Sequence, residues 1–254
     1  MTSFSATTAE QDPHYIQARP SLIAKMRKAD LLVCSGADLE IGWLPILLRK
    51  SGNSKVQPGQ KGYFMSSKMV KLLDKPIILD RSMGDVHAAG NPHIQLDPRR
   101  VAIVAKKLSK RLQKIDPAHS KEYQSKLVDF KTRWKKATKK WQKQSNDIRG
   151  KSIIVQHNSW VYLQQWLKLN KVAELEPKPG VPPSSRHLSS LLKQMQNTPA
   201  DIIIYSTYQD PKAAHWLSSK TGIHAIALPS TVNNNETLFQ WMDRLIQLLK
   251  DNMQ

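Results

Sequence analysis

Cysteine is nearly missing: Cys34 is the one thiol in 254 residues, so no disulfide can form within the chain. No apolar run reaches the about 18 residues that a membrane-spanning helix needs. The segment Met1-Thr2-Ser3-Phe4-Ser5 has neither the basic stretch nor the apolar core of an export signal. A His-Glu-x-x-His pair and a nucleophile elbow are both lacking, which removes the usual sequence support for a zinc hydrolase or an acyl-transfer enzyme. Acidic residues are scarce too, 20 against 39 Lys and Arg, for a formal charge of +19. That balance suits an acidic partner such as nucleic acid or an anionic membrane surface, or simply a solvated lysine face.

What is present describes a folded α/β chain. Hydrophobic residues make up 40% and charged residues 23%, a globular mixture long enough for one large domain or two lobes. Pro20 with Leu22, Ile23 and Met26 spells a short amphipathic helix through Lys28. Asp30 to Gly36 reads as a buried strand in which Cys34 is a small apolar core residue, and Ile41 to Leu48 as a helix closed by Ser51-Gly52-Asn53. Leu32-Val33-Cys34 resembles a lipid-attachment box only superficially, because a charged helix precedes it where a leader would be apolar.

From Asp97-Pro98 the pattern turns helical. Val101, Val104, Leu108, Leu112 and Ile115 form one apolar face that Asp116-Pro117 ends. A longer helix follows, with Tyr123, Leu127, Phe130, Trp134, Ala137 and Trp141 on one stripe and lysines over much of the rest. Aromatic residues between lysines can mark nucleic-acid binding, but these lie on the helix's own apolar stripe, which predicts core packing. After Gly150, strands at 152–156, 172–175, 202–205 and 223–228 alternate with helices at 161–169, 184–195, 211–219 and 236–249. Such alternation predicts a parallel sheet covered on both faces, with ligands beyond the carboxyl ends of its strands. His157, after Ile153-Ile154-Val155-Gln156, stands at that edge.

Three further histidines sit at comparable places. The stretch from Met83 to Pro98 puts His87 and His93 into a loop of Gly, Asn and Pro that Asp97-Pro98 anchors to a helix start. His14, in Gln11-Asp12-Pro13-His14-Tyr15, precedes the first helix. A histidine held where a loop meets a helix has few rotamers, which pre-positions a metal ligand; each taken alone is equally a polar loop residue.

Together these motifs resemble the zinc/manganese solute-binding proteins of ABC transporters over essentially the whole chain. Asp12-Pro13-His14-Tyr15 with Arg19-Pro20-Ser21 is similar to that family's first-ligand motif, and Asn91-Pro92-His93-Ile94-Gln95-Leu96-Asp97-Pro98 to its second. Ile154-Val155-Gln156-His157-Asn158-Ser159-Trp160-Val161-Tyr162 is similar to its third. Glu176-Pro177 with Ser184 and Leu188 follows the proline loop of the family's second lobe. The resemblance implies an α/β fold of two parallel-sheet lobes joined by one long connecting helix, with the metal site in the interlobe cleft. It places an N-terminal lobe at 1–116, the connecting helix at 117–149 and a C-terminal lobe at 150–254.

It also implies a function without bond chemistry: capture of a divalent transition metal and delivery to a membrane ABC permease. The expected ligands are His14 and His93 from the first lobe and His157 from the second. Three neutral imidazoles suit zinc, whereas a carboxylate-richer set leans toward manganese. The family's fourth donor is often a carboxylate after the last strand, where this chain has Pro229. Water, His87 or a carboxylate from elsewhere remain open for that position, and His87 is expected to be solvent-exposed or auxiliary. Glu174 and Glu176 are open to a role behind the ligands or to a plain loop role. His119, His187, His215 and His224 are expected to be surface or core residues. A monomer without nucleic acid is expected, located in the periplasm or at the cell surface in a full-length form whose export signal and first strand–helix unit precede Met1. The rivals are a zinc hydrolase using Glu174 or Glu176 as base and a basic binder of nucleic acid or acidic surfaces.

Overall fold

The computed structural model describes residues 2–76, 84 and 86–253; Met83 and Asp85 of the loop ahead of His93 lie outside them. Two separate parallel sheets organise the chain. In the first lobe, helix α1 (Pro20–Arg27) begins on Pro20 and leads into strand β1 (Leu32–Cys34). Helix α2 (Leu44–Ser51) starts three residues later than its apolar spacing predicts, because the chain first turns through Gly36, Ala37 and Asp38, all at positive φ. Gly36 is required there: a Cβ would lie 2.1 Å from Met65 Cγ. Strand β2 (Tyr63–Met65) pairs with β1 in parallel, Val33 opposite Phe64. Three residues are too few to show a period, so nothing in the sequence singles β2 out.

Helix α3 (Pro98–Ile115) is capped by Asp97, whose Oδ1 accepts the Arg99 N–H at 2.8 Å. Asp97 is fully buried and is held by the Arg99 and Arg100 guanidiniums. The long helix α4 (Ser120–Gln144) packs back along α3, with a single 3-10 turn at each end. Its Trp134 and Trp141 are buried, their indoles donating to Pro98 O at 2.8 Å and Asp243 Oδ1 at 2.6 Å, as the apolar stripe predicts.

The second lobe is a four-stranded all-parallel sheet. Strand β3 (Ser152–Val155) is flanked by β4 (Asn170–Glu174) and β5 (Ile202–Ser206), and β6 (Ala225–Leu228) closes the order β4-β3-β5-β6. Side-chain alternation divides the core. Ile153, Val155, Ile202 and Ile204 face α4, α5 (Val161–Leu167) and α8 (Leu238–Asn252), whereas Ile154, Ile203 and Tyr205 face α6 (Ser185–Asn197) and α7 (Lys212–Thr221). The thiol of Cys34 lies in the separate core of the first lobe, and burial pushes its pKa up to about 12.

The loop carrying His93 is bound to the second lobe. Ile94 and Leu96 belong to the α5–α8 core. The Tyr162 hydroxyl donates to Asn91 O at 2.6 Å and accepts from Leu73 N at 3.1 Å, and Gln95 Nε2 donates to Ser230 O at 3.2 Å. Tyr162→Phe keeps the ring and deletes both hydroxyl bonds. It is expected to lower stability by about 1–3 kcal/mol, read as a shift in urea midpoint at unchanged m.

Candidate metal centre

Three chain segments bring His14, His93 and His157 together. One ligand atom from each lies within 4.8 Å of the others. His14 and His157 meet edge to face at 5.7 Å between ring centroids, and His93 approaches them at 5.9 and 6.2 Å. All three residues expected from the motifs thus converge on one point in the cleft.

Each ring is aimed by a partner. The turn after Thr8 places Asp12 so that its Oδ1 accepts both the His14 backbone N–H, at 3.0 Å, and the ring Nδ1, at 2.7 Å. Trp43 fixes that loop by donating to Pro13 O at 2.8 Å. Burial alone would raise the Asp12 carboxyl, but the His14 hydrogen bonds outweigh it and hold Asp12 below its ordinary value. An ionised carboxylate only accepts, so the His14 proton sits on Nδ1 and Nε2 faces the cleft as a lone pair. His157, at the carboxyl end of β3, is oriented the same way: its Nδ1 bonds Glu176 Oε2 at 2.7 Å, and Gly180 N donates to the same oxygen at 2.8 Å. Of the two carboxylates weighed for this part, Glu176 stands behind a ligand, whereas Glu174 pairs with Lys171.

His93 is aimed by its backbone. Asn91 Oδ1 accepts the His93 N–H at 3.1 Å while Asn91 Nδ2 donates to Asn158 O at 2.6 Å, so one side chain ties the second and third motifs together. His93 is 2% exposed, and its Nε2 has no hydrogen-bond partner among the described residues. A buried ring nitrogen left unpaired costs free energy that a coordinated cation recovers. Burial, reinforced by the charges of His157, His14 and His87, keeps His93 well below its ordinary pKa. The residues therefore fit a zinc-class ion: borderline nitrogen donors with carboxylates behind two of them.

His87 departs from the expectation of a solvent-facing ring. It stacks on His14 at 5.4 Å between centroids, with the two Nε2 atoms 3.3 Å apart. Burial lowers its pKa to about 4, helped by the charges of His14 and His157. No sequence signal places it, because its partner lies 73 residues away. Tyr208, also missed, lines the cleft with Tyr15, Gln156, Gly180, Gln209 and Asp210, enclosing about 250 Å³ beside His14 and His157. Burial pushes the Tyr208 phenol further above its ordinary value, so it stays neutral.

The depressed histidines fix a pH response. Unfolded imidazoles titrate near 6.5, so between there and about pH 4 the unfolded chain binds more protons than the metal-free folded chain. Folding stability is present in full above pH 6.5 and lost as pH falls toward 4. Melting of metal-free protein is expected about 5 °C or more lower at pH 4.5 than at pH 7, and His87→Gln should reduce that difference.

Known proteins agree with the fold and the motifs. The family described as zinc-uptake complex component A, periplasmic (ZnuA) matches residues 3–252. The chain is 25% identical over 223 residues to the high-affinity zinc uptake system protein ZnuA of Bacillus subtilis, covering 83% of this chain and 66% of that one. To the metal ABC transporter substrate-binding lipoprotein SloC of Streptococcus mutans it is 23% identical, over 84% of this chain and 68% of SloC. Among solved structures, a zinc-bound ZnuA deletion mutant superposes with a TM-score of 0.78 at 20% identity, covering 98% of this chain and 88% of that one. The chain spans about two thirds of the length of the Bacillus relative. On the family match across nearly all of its length, this chain belongs to the ZnuA family of zinc-uptake components.

Proposed function

We propose that this chain captures a divalent transition metal outside the cytoplasm, zinc before manganese, and hands it to a membrane ABC permease. The observation that carries the reading is the convergence of His14, His93 and His157 within 4.8 Å around the unpaired, buried Nε2 of His93. Membership of a zinc-uptake family and likeness to a protein described as a metal ABC transporter substrate-binding lipoprotein support the cargo and the partner. The metal is cargo, so the site must grip and release it without chemistry. Release follows from geometry: His14 reaches the cleft from a first-lobe loop and His157 from the second-lobe sheet, and a small lobe displacement spoils a tetrahedral set.

The two rivals meet specific obstacles. A hydrolase needs a general base facing a metal-bound water, yet Glu176 Oε2 already accepts from His157 and Gly180. A nucleic-acid binder needs exposed aromatic faces for stacking, yet Trp134 and Trp141 are buried.

Metal analysis of the purified chain, followed by competition against a chromophoric chelator, is expected to show one zinc per chain and manganese bound at least about tenfold more weakly. His157→Ala is expected to weaken zinc by roughly 100-fold or more, a loss of about 2.7 kcal/mol. Zinc binding unchanged in His157→Ala would overturn the assignment, and hydrolysis of an ester by the loaded protein, lost in that variant, would revive the enzyme.

A further inference from the structure

We propose that His87 is the fourth ligand, so that the ion is held by four imidazole nitrogens and no carboxylate, and that this all-nitrogen set makes the site select zinc over manganese. The proposal rests on the reading of His14, His93 and His157 as ligands and adds to it the donor that sets selectivity. Its starting point is the 3.3 Å between His14 Nε2 and His87 Nε2. A tetrahedral ion with bonds of about 2.0–2.1 Å to nitrogen separates neighbouring ligand atoms by roughly 3.3–3.4 Å. His87 thus stands at the spacing of a co-ligand from His14, although it lies outside the group of His14, His93 and His157 whose ligand atoms all fall within 4.8 Å of one another.

Proton positions favour coordination over a simple hydrogen bond. His14 keeps its proton on Nδ1, against Asp12, and presents a lone pair from Nε2. His87 hydrogen-bonds the Ala37 backbone, and with Nε2 turned to His14 the nitrogen left for that carbonyl is Nδ1. A neutral ring with its proton on Nδ1 also presents a lone pair from Nε2. Two lone pairs 3.3 Å apart repel each other, and a cation shared between them removes the repulsion. Ala37 is the counterpart for His87 of Asp12 for His14 and Glu176 for His157, and it is held there by the left-handed turn of Gly36, Ala37 and Asp38.

Elimination points the same way among the described residues. Asp12 and Glu176 are committed to the outer ring nitrogens of His14 and His157. Asp210, at the cleft wall, caps the Lys212 N–H at 3.0 Å and pairs with its ammonium. In the loop after β6 the one carboxylate, Glu236, is paired with the Arg244 guanidinium, while Pro229 O accepts the Trp241 indole at 3.0 Å and Ser230 O accepts Gln95. Borderline imidazole donors suit zinc, whereas manganese prefers oxygen. A site closed by His87 therefore lacks the donor that manganese needs.

The test uses the full chain loaded with zinc, manganese or cobalt(II), reading affinity by chelator competition and geometry from the cobalt electronic spectrum. Wild-type protein should give a tetrahedral cobalt spectrum. His87→Ala and His87→Gln should lose that spectrum and weaken zinc roughly 10–100-fold, with circular dichroism melts confirming that they fold. His87→Asp should shift the zinc-to-manganese preference at least about tenfold toward manganese. An unchanged cobalt spectrum and zinc affinity in both His87→Ala and His87→Gln, alongside loss of binding in His157→Ala, would overturn this proposal alone. An unchanged metal preference in His87→Asp would overturn its selectivity half. Retention of zinc by His157→Ala would remove the three-histidine reading and this one with it.

Discussion

The structure depends on the burial of one neutral imidazole whose Nε2 has no bonding partner among the described residues. His93 is 2% exposed, and charging it in that position would place a cation among His14, His87 and His157. Desolvation and mutual repulsion both favour the uncharged ring, which is the form that binds metal. The penalty of an orphaned ring nitrogen is borne by the packing around it: Ile94 and Leu96 lie in the second lobe's core, and Tyr162 fastens Asn91 from below. The fold thus holds a ligand in its reactive state, and metal binding returns part of what that arrangement costs.

Charge around the ion is arranged in layers. Imidazoles are neutral and leave the ion's two positive charges uncompensated, so the balance falls to the residues behind them. Asp12 and Glu176 supply two carboxylates, each through the Nδ1 of a ligand. Hydrogen bonding of this kind raises the basicity of the metal-facing nitrogen and fixes the ring against rotation. Asn91 does for the backbone what the carboxylates do for the rings, joining the His93 turn to Asn158 beside His157. On the proposed function, loss of metal would disturb the seam between lobes and give a membrane partner a shape difference to sense.

What the sequence made legible was local. Asp97-Pro98 marks the start of α3 because capping chemistry is written in adjacent residues, and the second lobe's alternation follows from strand and helix periods. The three converging histidines were legible because each sits in a short motif. Strand β2 was not, being three residues paired with a segment some thirty positions earlier. Nor was the place of His87, which depends on a contact between two loops and on the left-handed turn at Gly36, Ala37 and Asp38. The later start of α2 has the same cause: Ile41 fits the apolar spacing, but the turn consumes the chain up to Trp43, whose indole is spent on the His14 loop. Side chains engaged far from their own helix break local periodicity where they support a site.

A chain of charge +19 proposed to take up a divalent cation poses an electrostatic question, which the distribution of charge bears on. The stretch from Pro98 to Gln144, helices α3 and α4 with their turn, holds 16 Lys and Arg against 3 acidic residues. Lys106, Lys107, Lys110, Lys114, Lys131 and Lys139 are among those exposed to solvent on it. Exposed charges are screened over about 8 Å at physiological ionic strength, so their repulsion decays in water before it reaches the cleft. The cleft itself has the opposite sign. Among the described residues no Lys or Arg lines it, whereas Asp12, Glu176 and Asp210 do, and charges in a partly enclosed, poorly solvated wall are screened far less than those on an open helix. The field within the cleft is then governed by Asp12 and Glu176, with Asp210 paired to Lys212 at its wall, while much of the lysine excess lies on the exposed helices α3 and α4.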